Sequence, residues 1–567
     1  MNRFLANCEG LLIALLLLMV LGLGIAACGG GPTESSAPPD PAPSPPPSPP
    51  PAPSAGIKAV NHIIFMMQEN RSFDSYFGKL GAYREANGYG KASDIDGLSD
   101  SASNVADDGT VVKPFHLRTA CMENALPDWG QGRQHYNFKH PESDAFLGDG
   151  YVRVAQSTAR SFGRIKEVES GGRHLPSFGQ LEVQPQETTN YYLFADNSGK
   201  ALAVVNIEVI GNETPPASPS IRPPPGVTFF ADRTQIQRGE TARLNWSVPG
   251  ASEVMINRWF DQKGRRVMGF YDHTDLPYYY FLASNFGTSD RFFAAIPSDS
   301  DPNRVAMLAA TTRGRVHEPG SYDSNRTKNI FQLLQQAGVT WKVYYQRKSN
   351  KQPVARLNRF QPFASEHTDK IVPMNPTYFD DLKNGTLPQV AFIEEFPGFD
   401  EHPGGTNPGN IHGAIHIQTG ASFAKNIIDS FMASQYWKDS VFFWFFDEGG
   451  GTFDHVAAAS AVSPDGIKPV DLKPGEAKGD FNRTGYRVPM MVISPFAKKS
   501  YVSHTVADGT AILKFIETRF SLPTLTARDA AQIDMTEFFD FANPPWMTPP
   551  KTPAQPTHLP CDYTNLD

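Results

Sequence analysis

At 567 residues the chain is too long for one ordinary domain, for which roughly 100–200 residues is usual. With 40% hydrophobic and 11% aromatic residues it holds enough apolar material for a sizeable core, which excludes wholesale disorder. Lys and Arg (51) are outnumbered by Asp and Glu (59) and lie scattered, which argues against nucleic acid as a partner, since neutralising phosphates takes a concentrated positive face.

The N-terminal segment carries an apolar run from Leu11 to Ala27 behind Arg3. Its 17 residues are short for a membrane-spanning helix and of the right length for a signal-peptide core. Ala26-Ala27 ahead of Cys28-Gly29 resembles the lipobox of bacterial lipoproteins. That resemblance implies a signal peptide over residues 1–27 and a lipid on Cys28. The protein would then be exported and held on a membrane of the bacterial cell envelope, at the outer membrane or the periplasmic face. An uncleaved membrane anchor is the competing reading. Residues 28–56 form a linker, and twelve of the 22 residues from Pro32 to Pro53 are proline. Such a sequence favours polyproline II at about 3.1 Å per residue and predicts a semi-rigid spacer.

From Ile57 onward apolar strand runs alternate with helical patterns. The strands expected are Asn61–Met67, Val339–Tyr345, Gln389–Glu394, Val441–Phe446 and Val488–Ile493, each largely apolar as a strand buried on both faces should be. Helical patterns cover Lys328–Ala337, Phe423–Ala433 and Ala511–Phe520. The alternation predicts an α/β fold, a three-layer α/β/α sandwich with a mostly parallel sheet. Residues 161–256 read differently: Gly179–Val183, Asn190–Ala195, Ala201–Val209, Val227–Ala231 and Thr241–Val248 are short β-rich runs between turn signals.

Ligands of parallel sheets bind beyond the carboxyl ends of the strands. Glu69-Asn70 follows the first strand there, and Asp447-Glu448 follows Val441–Phe446. Tandem carboxylates at a strand tip repel one another unless a cation or proton sits between them. With the Asn70 amide they form an oxygen-rich set suited to a hard divalent metal ion. Read alone, Asp-Glu before a glycine run is also an ordinary loop.

Glu69-Asn70-Arg71-Ser72-Phe73-Asp74 resembles the signature of the bacterial phosphoesterase family of phospholipases C and acid phosphatases, in the alkaline phosphatase-like superfamily. Ser300-Asp301-Pro302-Asn303-Arg304, Asp400-Glu401-His402-Pro403, Asp447 through His455 and Tyr486-Arg487-Val488-Pro489 resemble further segments of it in the same order. The resemblance spans residues 57 to about 155 and about 257 to 545. It implies a divalent metal of unspecified identity held by Glu69, Asn70, Ser300, Asp447 and Glu448. Ser300 would be the nucleophile, forming a phosphoserine intermediate, with His402 and His455 stabilising phosphoryl oxygens or protonating the leaving group. The substrate would be a phospholipid or a small phosphoester. Arg304 is a candidate phosphate clamp, with a buried ion pair as the alternative.

Two departures stand out. Where relatives carry a Ser-His pair this chain has Gly132-Arg133, with His135 two residues on, and Arg133 there still favours an anion. Near the C-terminus the common Asp-His-Thr becomes Asp508-Gly509-Thr510. Residues 161–256 stand outside the resemblance and instead resemble a circularly permuted immunoglobulin-like β-sandwich, inserted between catalytic parts 57–160 and 257–567; two truncated repeats are the alternative. In an oxidising compartment Cys121 and Cys561 could pair and tie the C-terminal tail to the catalytic domain, though the sequence alone does not show that they meet. A phospholipase C, an acid phosphatase and a catalytically dead surface-binding lipoprotein all remain open at this point, and the oligomeric state is not encoded.

Overall fold

The computed structural model describes residues 56–122, 128–143, 145–162, 175–185, 188–195, 201–210, 221–258, 264–317, 322–323, 326–345, 355–394, 401 and 416–560. The segment expected to be a signal peptide, Cys28, most of the proline-rich linker, His402 and Cys561 lie outside the described residues. Among the described residues no helix is long and apolar enough to cross a membrane.

The core is an eight-stranded sheet. In chain order its strands are β1 (His62–Gln68), β2 (Gly287–Ser289), β3 (Trp341–Tyr345), β4 (Ile371–Pro373), β5 (Val390–Glu394), β6 (Ser440–Phe446), β7 (Met490–Ile493) and β8 (Val502–Ser503). They lie in the order β4-β3-β5-β1-β6-β7-β2-β8. The five from β4 to β6 run parallel, while β7 is antiparallel to both neighbours. Every residue of β6 is buried, as are all but the first of β1, so both present continuous apolar runs. Phe65 stacks on Phe392 across β1 and β5 with centroids 4.6 Å apart. The five expected strands appear, each shifted by at most two residues, and the mixed α/β fold with a mostly parallel sheet is the observed one.

Register decides what happens at the carboxyl ends. Gln68 pairs with Phe446, and Met67 with Glu394. The tips of β1, β5 and β6 are therefore level, and the residues that leave them converge on one spot.

Residues 178–258 build two smaller antiparallel sheets. One orders Phe178–Val183, Ala242–Ser247 and Thr228–Ala231; the other orders Val254–Arg258, Thr189–Ala195, Ala203–Val209 and Gln235–Ile236, with the last two paired in parallel. Ala203–Val209 alternates buried and half-buried positions, the pattern of a strand with one face on a core. That core is shared by both sheets and includes Tyr191, Leu193, Ile207, Leu244, Trp246 and Ile256. Elsewhere Cys121 is disulfide-bonded, and the C-terminal stretch reaches its neighbourhood, since Pro560 O accepts from Ala120 N at 2.8 Å.

Candidate functional site

The turn after β1 and the turn after β6 are laced together. Asp447 N donates to Gln68 O at 3.1 Å, and Asn70 N donates to Asp447 Oδ1 at 3.2 Å. Asn70 sits in the left-handed region at φ 70°, one that asparagine tolerates better than most residues. Its carbonyl presses on Gly450, where a Cβ would come within 2.4 Å of Asn70 O. Gly450 itself has φ 65°, so both its conformation and this contact require glycine.

The third component is helix α1 (Ser300–Ala309), entered through a loop that the Asn303 side chain knits together. Asn303 Oδ1 accepts from Ile296 N at 3.0 Å, and its Nδ2 donates to Ile296 O at 3.1 Å and Ser298 O at 2.9 Å. Asp301 is anchored by Arg356 at 2.5 Å and Arg359 at 3.0 Å. This framework leaves Ser300 half-buried in the first turn, with its Oγ donating to Asn70 Oδ1 at 2.8 Å and within hydrogen-bond reach of Asp447. Ser298, by contrast, is buried and donates to Val316 O at 2.6 Å.

Arg304, one turn along α1 and 1% exposed, is enclosed by acids. Its Nη2 lies 2.9 Å from Glu69, its Nε 2.9 Å from Asp447 and its Nη1 3.8 Å from Glu394. Glu448 adds a further buried carboxylate: Oε2 accepts from Gly450 N at 2.6 Å, while Oε1 is buried with no hydrogen-bond partner among the described residues. Three carboxylates thus share the Arg304 guanidinium, and the Glu448 carboxylate adds its charge to theirs. Burial pushes Asp447 up to about 6 despite the pull of Arg304. Glu448 is driven well above the ordinary range by burial and by the Asp447 charge. An orphaned buried oxygen inside an over-acidic set of oxygen donors fits a divalent cation.

A pH dependence follows. Because the Asp447 carboxyl is raised in the folded state, its stabilising contribution is fully present below the ordinary value near 3.8 and lost as pH rises through about 6. Chelated protein therefore loses this contribution by pH 7.5, and a bound cation relieves the repulsion there. The rise in melting temperature produced by Mn²⁺ should be larger at pH 7.5 than at pH 5. At a hundred-fold excess over Kd the stabilisation is about 2.7 kcal/mol. An equal or larger rise at pH 5, measured by scanning calorimetry, would contradict this electrostatic account.

The remaining expected residues are placed elsewhere. His455 has Nδ1 2.7 Å from Asp74 and Nε2 3.0 Å from Asp96; burial opposes its charge, but Asp74 outweighs burial and pushes the ring up to about 9. Asp74 and Asp454 are already balanced by Arg487, at 2.8 and 3.1 Å, which makes this cluster a buried ionic lock between the two turns. Arg133 is buried on a helix (Trp129–Tyr136) and donates to Pro141 O at 2.9 Å. His135 is buried against Tyr486, 2.6 Å away, and burial lowers it to about 3, so it is neutral. Asp508 caps Thr510 and pairs with Arg528 at 2.7 Å. Glu394 was missed by sequence reasoning; an acid ending an otherwise apolar strand was the signal available.

Residues 60–198 and 217–523 match the model of the Phosphoesterase family. A non-hemolytic phospholipase C of Pseudomonas aeruginosa is 28% identical over 355 residues, covering 56% of this chain and 50% of that protein. Phospholipase C B of Mycobacterium tuberculosis is 34% identical over 315 residues, covering 49% and 57%. The chain thus spans about half the length of the curated relatives it matches. Among solved structures, a protein in the alkaline phosphatase superfamily from Vibrio parahaemolyticus aligns with a TM-score of 0.31 and 12% identity over 46% of this chain and 64% of that one.

Proposed function

The chain belongs to the Phosphoesterase family, and from that premise we propose that it is an exported, cation-dependent phosphoric ester hydrolase of phospholipase C type that works through a phosphoserine on Ser300. The observation that carries this reading is Ser300 Oγ meeting Asn70 Oδ1 at 2.8 Å beside the carboxylates of Glu69, Asp447 and Glu448.

Glu69, Asn70, Ser300, Asp447 and Glu448 are the residues that would hold the divalent cation. When bound, it lowers the pKa of a ligating hydroxyl and neutralises phosphoryl charge. Ser300 opens a ten-residue helix, whose N-terminal amides favour an arriving phosphate. The Ser300 Oγ–P bond forms as the P–O bond to the alcohol breaks, and water then cleaves the phosphoserine. His402 is our candidate proton donor to the leaving alcohol. His455 would have to release Asp96 to serve in that role. Arg304 orients the carboxylates.

We read residues 161–256 as an inserted immunoglobulin-like module, supported by two sheets that share one core. The catalytic parts are residues 57–160 and 257–567, in a three-layer sandwich, and Cys28 carries the lipid anchor.

Relatives named phospholipase C support a phospholipid diester over a phosphomonoester as substrate. The test is hydrolysis of phosphatidylcholine and of p-nitrophenyl phosphate, with and without EDTA. Phosphocholine release that EDTA abolishes and Mn²⁺ restores is the expected result. Turnover of the monoester alone would reassign the protein as an acid phosphatase. No turnover of either would favour a surface-binding lipoprotein.

A further inference from the structure

Beneath the turn that carries Glu69 and Asn70 lies a buried polar cluster that the proposed chemistry does not use. Glu401 is fully buried and held in the left-handed region at φ 67°. Its Oε1 accepts from Gln68 Nε2 at 2.9 Å and from Tyr279 Oη at 2.5 Å, and its Oε2 accepts from Tyr76 Oη. Taking a carboxylate out of water is costly unless hydrogen bonds and an opposite charge compensate. Three donors supply the first and Arg71 the second, and they offset in part the burial that pushes the Glu401 carboxyl up to about 7. Arg71 is itself fully buried, lies over the Tyr76 ring at 5.7 Å and donates from Nη1 to Asn70 O at 3.0 Å. Its Nε and Nη2 have no hydrogen-bond partner among the described residues.

Both ends of this cluster finish on the turn. Gln68 immediately precedes Glu69, and its carbonyl takes the Asp447 N–H. Arg71 immediately follows Asn70 and grips the same carbonyl that rests on Gly450. Residues 68 to 71 are therefore held from below at each end. The left-handed Asn70 has no regular strand or helix to maintain it, so these contacts add from below to the restraint that Asp447 and Ser300 supply.

We propose that Glu401 is a positioning residue for the Glu69–Asn70 turn: its carboxylate gathers Gln68, Tyr76 and Tyr279 so that Glu69 and Asn70 present their oxygens to the cation in a fixed geometry. The inference rests on the cation reading of that turn. Outer hydrogen-bond partners of metal ligands typically change metal affinity 10–100-fold when lost. A merely structural acid would change thermal stability and leave the affinity of the folded protein alone.

The experiment is Mn²⁺ titration of the full chain, following free Mn²⁺ by electron paramagnetic resonance, for wild type, Glu401→Gln and Tyr279→Phe. Glutamine keeps the volume but turns an amide NH₂ toward a donor. The expected result is a Kd raised about 10-fold or more in Glu401→Gln, and roughly three-fold in Tyr279→Phe, which removes one donor. Circular dichroism establishes that each variant is folded. If Glu401→Gln does not fold, an unchanged Kd in Tyr279→Phe overturns the inference and a raised one upholds it. A wild type that binds no Mn²⁺ would overturn the cation reading and this inference together. A wild type that binds, beside an unaltered Kd in folded Glu401→Gln, would overturn the inference alone.

Discussion

Ser300→Ala should lower phosphoester hydrolysis by several orders of magnitude, on the order of 10⁴–10⁶-fold if Ser300 is the attacking group, while fold and cation content stay close to wild type. The side chain is small and half-buried, and its loss costs only its hydrogen bonding to Asn70 Oδ1 and Asp447. Alanine therefore removes the covalent step with little packing penalty. Asp447→Asn should behave differently. Asp447 is buried, accepts from Asn70 N and pairs with Arg304, so this change removes charge the cation needs and unbalances the guanidinium. One variant should be inactive but metal-bearing, the other inactive and metal-poor, as read by elemental analysis of the purified proteins. If Ser300→Ala kept a tenth of wild-type turnover, Ser300 would not be the nucleophile. Ser298 offers no replacement, because its hydroxyl is buried on Val316 O.

Arg304→Met should be the most destabilising change at the site. It leaves Glu69, Asp447 and Glu394 buried without their shared cation. Breaking a buried pair by removing one partner costs about 3–5 kcal/mol, and here three acids lose a partner together. The melting temperature of the chelated variant should fall markedly and recover in part with Mn²⁺. Were Arg304 instead a clamp on substrate phosphate, the same change would raise KM and leave the melting temperature near wild type. Measuring both quantities on one preparation separates the two roles.

The parts of the fold legible in the sequence were those where physics leaves a long trace. β1, β5, β6 and β7 are buried on both faces and β3 is broken only by the half-buried Lys342, so all five appear as largely apolar runs. β2, β4 and β8 have only two or three residues each, too few for any periodicity to register. Gln235–Ile236 and Val254–Arg258 were likewise missed beside the runs expected within residues 161–256. Glu69, Asn70, Asp447 and Glu448 could be found because each follows a strand run, where parallel sheets place their ligands. Ser300 had no such mark: it lies in a loop entering a helix, and only the likeness of the Ser300–Arg304 segment to a family motif singled it out. Glu394 and Glu401 illustrate what local reading cannot reach. Their importance comes from register and from donors far away in the chain, such as Tyr279 on Glu401 and Arg304 beside Glu394.

Under the proposed function Ser300 and the carboxylates around it act as one site on phosphoesters. The most direct test is rapid acid quenching of the Mn²⁺-loaded protein during turnover of a fast-reacting phosphoester, followed by peptide mass mapping. The expected result is a single phosphoryl adduct on the peptide containing Ser300, bare from a monoester and still carrying the retained alcohol substituent from a diester, absent from Ser300→Ala and from protein quenched without substrate. Phosphate on another residue, or turnover with no phosphorylated peptide at any quench time, would contradict it.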